Sequence, residues 1–190
     1  MKSILNNSGS LIRVKCHFVF LILFFAVMNG HAQSAQKENL SEKEAADRIA
    51  IKNLIDGYSH DADRREAEKQ AGLFTPDGEI EVFQGEPGVN KATALIKGRK
   101  DLIVGFQTLK KYDITMHFNG QSTIQIKGDT ATGETYCLAH HIWKENGQRM
   151  LMVMGIRYYD TFVRIGGRWY FARRQLIFDW IDKRPSKSES

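Results

Sequence analysis

From Ile114 to Ile181 the chain repeats one pattern four times: a stretch of 14 to 17 residues rich in β-branched and aromatic side chains, then a short turn. The stretches are 114–127, 130–144, 149–165 and 168–181, and the turns are "GD", "ENGQ" and "GG". Apolar and polar residues alternating between turns of this chemistry predict strands joined as hairpins. Four such strands form an antiparallel meander, and one of its faces needs an apolar cover.

The cover has to come from upstream. Ser41 with Glu44 three residues on forms a capping box, and Ala45, Ala46, Ile49, Leu54, Ile55 and Tyr58 recur at helical spacing, which predicts a helix to about His60. Asp63 with Glu66 predicts a second cap and a short helix ending near Phe74, where "TPDG" predicts a turn. Residues 79–84, "EIEVFQ", alternate as a strand, a loop rich in Gly and Pro follows, and 100–110 read as a third helix. Helices first and a meander afterwards indicate an α+β fold. Helices on the concave face of a strongly curved, mixed but mainly antiparallel sheet enclose a cone-shaped barrel, and such interiors suit small ligands.

Two ends fall outside that core. Lys2, Arg13 and Lys15 precede an apolar run from Cys16 to Met28, and Gly30-His31-Ala32 supplies small residues at a cleavage position. This layout predicts a secretory signal peptide over 1–32, and hence export to the periplasm or medium. A flexible lead over 33–40 and a polar, disordered tail over 183–190 are expected to flank the domain at 41–182. With the leader removed, 24 basic residues face 22 acidic ones, a net charge of +2, so the basicity of the whole chain is no argument for nucleic-acid binding. Cys137 is then the one cysteine left, which excludes an internal disulfide and any cysteine-based zinc site.

The sequence carries no HExxH, GxSxG, Walker or GxGxxG motif, and its histidine spacings give no support for a metal. What remains is acid–base chemistry, for which no cofactor is needed. An aspartate on one nitrogen of an imidazole fixes the tautomer and leaves the other nitrogen as a base. Partners for such a pair must come from different elements, and Asp63 and His117 are the candidates. Either residue also has a structural reading, Asp63 as a helix N-cap and His117 as a polar strand residue.

Together, several segments resemble the SnoaL-like branch of the nuclear transport factor 2-like superfamily. They are "DRIAIKNLIDGYSHDADRREAEKQAGLFTPDGEIE", Gly98-Arg99, "TMHFNG", "GDTATGETYCLAHH" and "GGRWYFARRQLIFDW", and the match covers about 42–182. Eliminating enzymes of that branch, such as scytalone dehydratase, the lindane dehydrochlorinase and bile acid 7α-dehydratase, use an Asp–His pair. The resemblance implies that Asp63 and His117 face one another inside the cone and that Tyr58 is a catalytic partner. It does not extend to the scytalone substrate: Leu95 or Ile96 stands where that enzyme has a histidine, and Thr135 or Tyr136 where it has an asparagine.

Three further residues are candidates for substrate contact: His140, favoured over its neighbour His141, which faces the other side of the sheet; Arg173, for an anionic group; and Trp180, as an aromatic wall. The leading expectation is an exported lyase of the dehydratase type, or an isomerase, acting without a cofactor on a small organic molecule. The alternative is a non-catalytic binding or interaction module of the same fold. The Met and aromatic residues on the strands also predict a homodimer or homotrimer.

Overall fold

The computed structural model describes residues 41–187. The expected signal peptide and flexible lead lie outside the described residues. Within these residues two helices come first, α1 (Glu42–Arg64) and α2 (Ala67–Gly72). They are followed by β1 (Phe74–Gln84), β2 (Ala94–Lys97) and α3 (Arg99–Gln107), which a 3₁₀ turn over Thr108–Lys111 extends. The meander is β3 (Ile114–Lys127), β4 (Thr130–Glu145), β5 (Gln148–Ile165) and β6 (Arg168–Pro185). All six strands form one sheet in the order β2-β1-β6-β5-β4-β3, antiparallel except where β1 runs parallel to β6. The fold is α+β, with the helices on one side of a mixed sheet that curls like a cone without closing. Among the described residues, no helix is long and apolar enough to cross a membrane.

The helix–sheet packing follows from spacing. Ile51, Leu54, Ile55, Tyr58 and Ala62 make one stripe of α1 and are all buried, facing Phe74, Phe162, Phe171 and Ile156 of the sheet. The flank of α1 beside β3 carries Glu44–Arg48 and Lys52–Asp56 pairs at i,i+4, and from it Arg48 donates to the Ile124 carbonyl at 2.7 Å and Asp56 accepts from Asn119 at 3.2 Å. Asp47 is an exception. It is buried, accepts from Arg164 at 2.8 and 2.9 Å and from the Trp169 indole at 2.9 Å, and so pins the start of α1 to the β5–β6 hairpin.

Tight turns set the strand registers. Asn146-Gly147 and Gly166-Gly167 all have positive φ, the pairing a two-residue hairpin of the right twist needs. The curl comes from bulges. One extra residue or more interrupts the ladder at Gly120-Gln121 in β3 and at Ala172 and Asp179 in β6. Each bulge bends its strand and swaps which side chains face the helices.

Several expectations are corrected. α1 runs to Arg64, past His60, so Asp63 lies in its last turn and is not the cap of a second helix. α2 begins after Glu66, with no side-chain cap. "TPDG" is a bulged stretch inside β1: Phe74 pairs Phe171 and Glu79 already pairs Arg173, which leaves residues 75–78 opposite one partner. The segment read as loop before the third helix contains β2, which pairs with β1. β6 also continues to Pro185, opposite Met150, three residues into the stretch expected as tail.

Candidate functional site

The end of α1 and the start of β3 together make the site. Asp63, in the last helical turn, reaches across to the strand, and its Oδ1 lies 2.7 Å from His117 Nδ1. The His117 backbone N–H donates to Oδ2 at 2.9 Å, and the Thr115 hydroxyl donates to Oδ1 at 2.9 Å. Burial works against the carboxylate, but these hydrogen bonds outweigh it and hold its pKa below the ordinary aspartate value. An ionised carboxylate can only accept, so His117 Nδ1 carries the proton and Nε2 is left as the basic edge of the ring.

Sequence reading missed the two residues that support this pair. Arg65 follows the helix with φ 63°, a left-handed conformation that turns its side chain back. Its guanidinium donates to Thr115 Oγ1 at 2.6 Å, to the Tyr112 carbonyl at 3.2 Å and to the Ala62 and Asp63 carbonyls at 3.1 Å. A chain of donors therefore runs from Arg65 through Thr115 to Asp63 and fixes the loose end of a helix. The signal for Thr115 was available, since it sits two residues before His117 and shares its side of the strand.

His117 opens on a cavity of about 210 Å³. Its walls are mainly apolar, from Ile80, Val82, Phe106, Met154, Ile156 and Phe178, with Tyr58, Tyr158, Gln70, Thr108 and His141 as the polar exceptions. Tyr58 is buried among Phe74, Phe106, Tyr158 and Phe171, and desolvation pushes its pKa up. Arg174 lies beneath, its guanidinium 4.1 Å from the Tyr58 ring centre and 4.0 Å from that of Tyr158. Asp160 grips it at 2.7 and 2.8 Å, and both side chains are enclosed. Cys137, also buried, has its thiol pushed up to about 11 by desolvation, so it stays protonated and unreactive.

Three of the proposed contact residues lie elsewhere. His141, not His140, lines the cavity, because His141 shares the inward side of β4 with Cys137 and Ala139. Of the two arginines, Arg174 points inward; Arg173 is on the outer side, paired with Glu81 and 3.6 Å from Glu79. Trp180 is also outside. A regular strand would put it on the same side as Phe178, but the bulge at Asp179 intervenes: Phe178 pairs Ile156 and Trp180 pairs Gly155. Its indole lies over Gly155, where a β-carbon would fall 2.2 Å from Nε1. There it joins Met116, Phe118, Tyr136 and Leu138 on an exposed apolar surface. Among the described residues, no three His, Cys, Asp or Glu side chains are grouped to hold a metal ion.

Comparison with known proteins places the chain among relatives. Residues 43–175 match the family described as the SnoaL-like domain. An uncharacterised protein of Mycobacterium tuberculosis is 30% identical over 137 residues, which is 71% of this chain and 87% of that protein. A crystal structure of a candidate scytalone dehydratase from Novosphingobium aromaticivorans superposes with a TM-score of 0.63 at 21% identity, covering 78% of this chain and 95% of that one. A hexachlorocyclohexane dehydrochlorinase, LinA type 2, gives 0.61 at 19% identity, covering 74% and 90%. The β subunit of a candidate aromatic-ring-hydroxylating dioxygenase from N. aromaticivorans also gives 0.61, at 21% identity, covering 73% and 93%. At these identities the structural likenesses speak to the fold.

Proposed function

Because the chain belongs to the SnoaL-like domain family, we propose that it is a cofactor-independent lyase of the dehydratase type, or an isomerase, acting on a small, partly apolar carbon acid. The observation that carries this reading is the Asp63–His117 contact of 2.7 Å at the wall of a mainly apolar cavity. His117 Nε2 takes a proton from carbon. In an elimination the electron pair forms the double bond and expels a hydroxyl on the adjacent carbon, and His117 returns its proton to that group, giving water. In an isomerisation the proton goes back at a different carbon. Asp63 keeps the tautomer fixed and stabilises the imidazolium formed on the way. Tyr58 acts at the cavity wall as a hydrogen-bonding partner. Fold-level likeness to dehydratases and a dehydrochlorinase is in keeping with this chemistry.

The test compares the purified protein with its His117→Ala variant across small hydroxy-carbonyl and unsaturated carbonyl compounds. A positioned base contributes roughly 10²–10⁴-fold, so turnover should fall by that factor. Equal turnover by both proteins would remove the mechanism and leave a binding module.

Two further readings accompany this one. Export is supported by the charged, apolar and small-residue order of the first 32 residues; finding the processed protein only in the cytoplasm would contradict it. Self-association is supported by the outer surface, where Phe118 is 68% and Met116 60% exposed beside Tyr136, Leu138 and Trp180. Light scattering should give the mass of a dimer or trimer, and a Phe118→Asp variant the mass of one chain. A monomeric wild type would sink this reading.

A further inference from the structure

Tyr158, Gln70, Thr108 and His141 are polar groups of the cavity wall outside the mechanism, and of these four His141 is the one with buried nitrogens left without a partner. It is 5% exposed, and among the described residues neither of its ring nitrogens has a hydrogen-bond partner. The neighbouring polar groups are engaged: Gln70 donates to the Tyr58 carbonyl at 3.2 Å and Thr108 to the Gly105 carbonyl at 2.7 Å. Buried imidazoles are ordinarily satisfied, so two orphaned nitrogens in a cavity wall point to something that enters the cavity. The ring is held in place. It packs 4.3 Å from Tyr112 on one side and 5.3 Å from the His117 ring, at 65°, on the other.

We propose that His141 binds substrate: its imidazole N–H donates to an oxygen on the carbon next to the one that His117 deprotonates. The substrate class is then a small carbonyl compound with an acidic hydrogen on the adjacent carbon. This inference rests on the reading of His117 as the base. The carbon that loses its proton and the carbonyl oxygen are separated by a single carbon atom. The two imidazoles meet edge to face, 5.3 Å between centres, and both line the cavity, so neighbouring atoms of one small molecule there can meet both. As the proton leaves, the electron pair moves onto that oxygen, and a fixed N–H aimed at it stabilises the enolate.

The electrostatics agree. Burial first, then the facing His117 and Arg65, push the His141 pKa down to about 3. At neutral pH the ring is uncharged, with one nitrogen a donor and the other an acceptor. An uncharged imidazole can polarise a carbonyl without repelling the imidazolium that forms on His117.

Binding of two probes of nearly equal shape tests this: cyclohexanone, which has the oxygen, and methylenecyclohexane, which lacks it. The purified protein should bind the ketone about tenfold more tightly, the value of one hydrogen bond to a buried donor. The ¹⁵N resonance of His141 should move only with the ketone. His141→Phe should bring the two affinities together by weakening the ketone, while His141→Gln, which keeps an N–H, should restore part of the preference. Equal affinities in the wild type, an undiminished preference in His141→Phe, or binding of neither probe would overturn the proposal. Since the readout is binding, it separates from the base assignment. An unchanged turnover in His117→Ala with the probe preference intact removes the base and supports the oxygen site. A flat preference with turnover lost in His117→Ala does the reverse.

Discussion

Asp160 meets Arg174 at 2.7 and 2.8 Å, and Asp63 meets His117 at 2.7 Å. The contacts are nearly equal in length, yet the surroundings differ. The side chains of Asp160 and Arg174 are 0% and 1% exposed, against 24% and 8% for Asp63 and His117. Arg174 is packed against the rings of Tyr58, Tyr158 and Phe171, so the first pair is closed on every side and its charges can act only on each other and on the core. In the second pair a basic ring edge borders a cavity. One arrangement holds the sheet together, and the other keeps a proton acceptor ready. A short carboxylate contact therefore identifies neither; access to the partner's remaining nitrogen does.

The largest effect expected from this contrast is on stability. Arg174→Leu leaves the Asp160 carboxylate buried without a counter-charge, and breaking such a pair costs about 3–5 kcal/mol. Asp63→Asn keeps an oxygen for the His117 backbone N–H or the Thr115 hydroxyl, and should cost about 1 kcal/mol. Turnover should respond in the opposite order. Asp63→Asn, which no longer orients His117, should lose about 10²-fold or more even though the fold is nearly intact. Urea titration gives the first ranking and initial rates on a substrate found in the screen give the second. If Asp63→Asn proved the more destabilising of the two, the division between a structural and a chemical pair would fail.

This contrast also shows what could be read from the chain. The meander was legible because its turns carry their own chemistry: Asn146-Gly147 and Gly166-Gly167 dictate hairpins whatever the rest of the protein does. The Asp63–His117 pair is reachable through resemblance, but the helix-cap role expected of Asp63 is not the one the fold uses. A sequence rule saw a helix cap, whereas the carboxylate is used by Thr115 and by His117, 54 residues away, and α1 simply runs on beneath it. Trp180 and Arg173 were misplaced for one physical cause. Alternation assigns faces correctly only until a bulge, and β6 carries two, at Ala172 and Asp179. No bulge separates His140 from His141. They face opposite sides of the sheet, and only the register Thr115↔His141, which sets His141 beside the dyad, decides between them.

Adding His141 to the comparison gives a smaller and more selective prediction. It is buried much as Asp160 is, but among the described residues no partner holds either of its nitrogens. Its pKa falls from 6.5 to about 3, through burial first, then repulsion by His117, Arg65 and Lys111, with Asp63 opposing. In the unfolded chain the ring takes up a proton as pH drops below 6.5; in the folded protein it does not until about 3. Unfolding is therefore favoured progressively across that interval, by about 2 kcal/mol at pH 5. Asp63 acts in a different window. Its pKa is lowered from 3.8, so the stability it contributes is present above that value and is lost only as pH falls further, through the folded pKa. Between pH 6.5 and about 5 the slope thus contains a His141 component and almost no Asp63 component. Urea unfolding of wild type and His141→Phe at half-unit steps should show the variant losing that component while keeping the fall below pH 3.8. The variant should also be at least as stable at pH 7, because an apolar ring replaces two orphaned nitrogens. A slope that survives in His141→Phe would mean that another group titrates there, and that His141 is solvated well enough to ionise like a surface histidine.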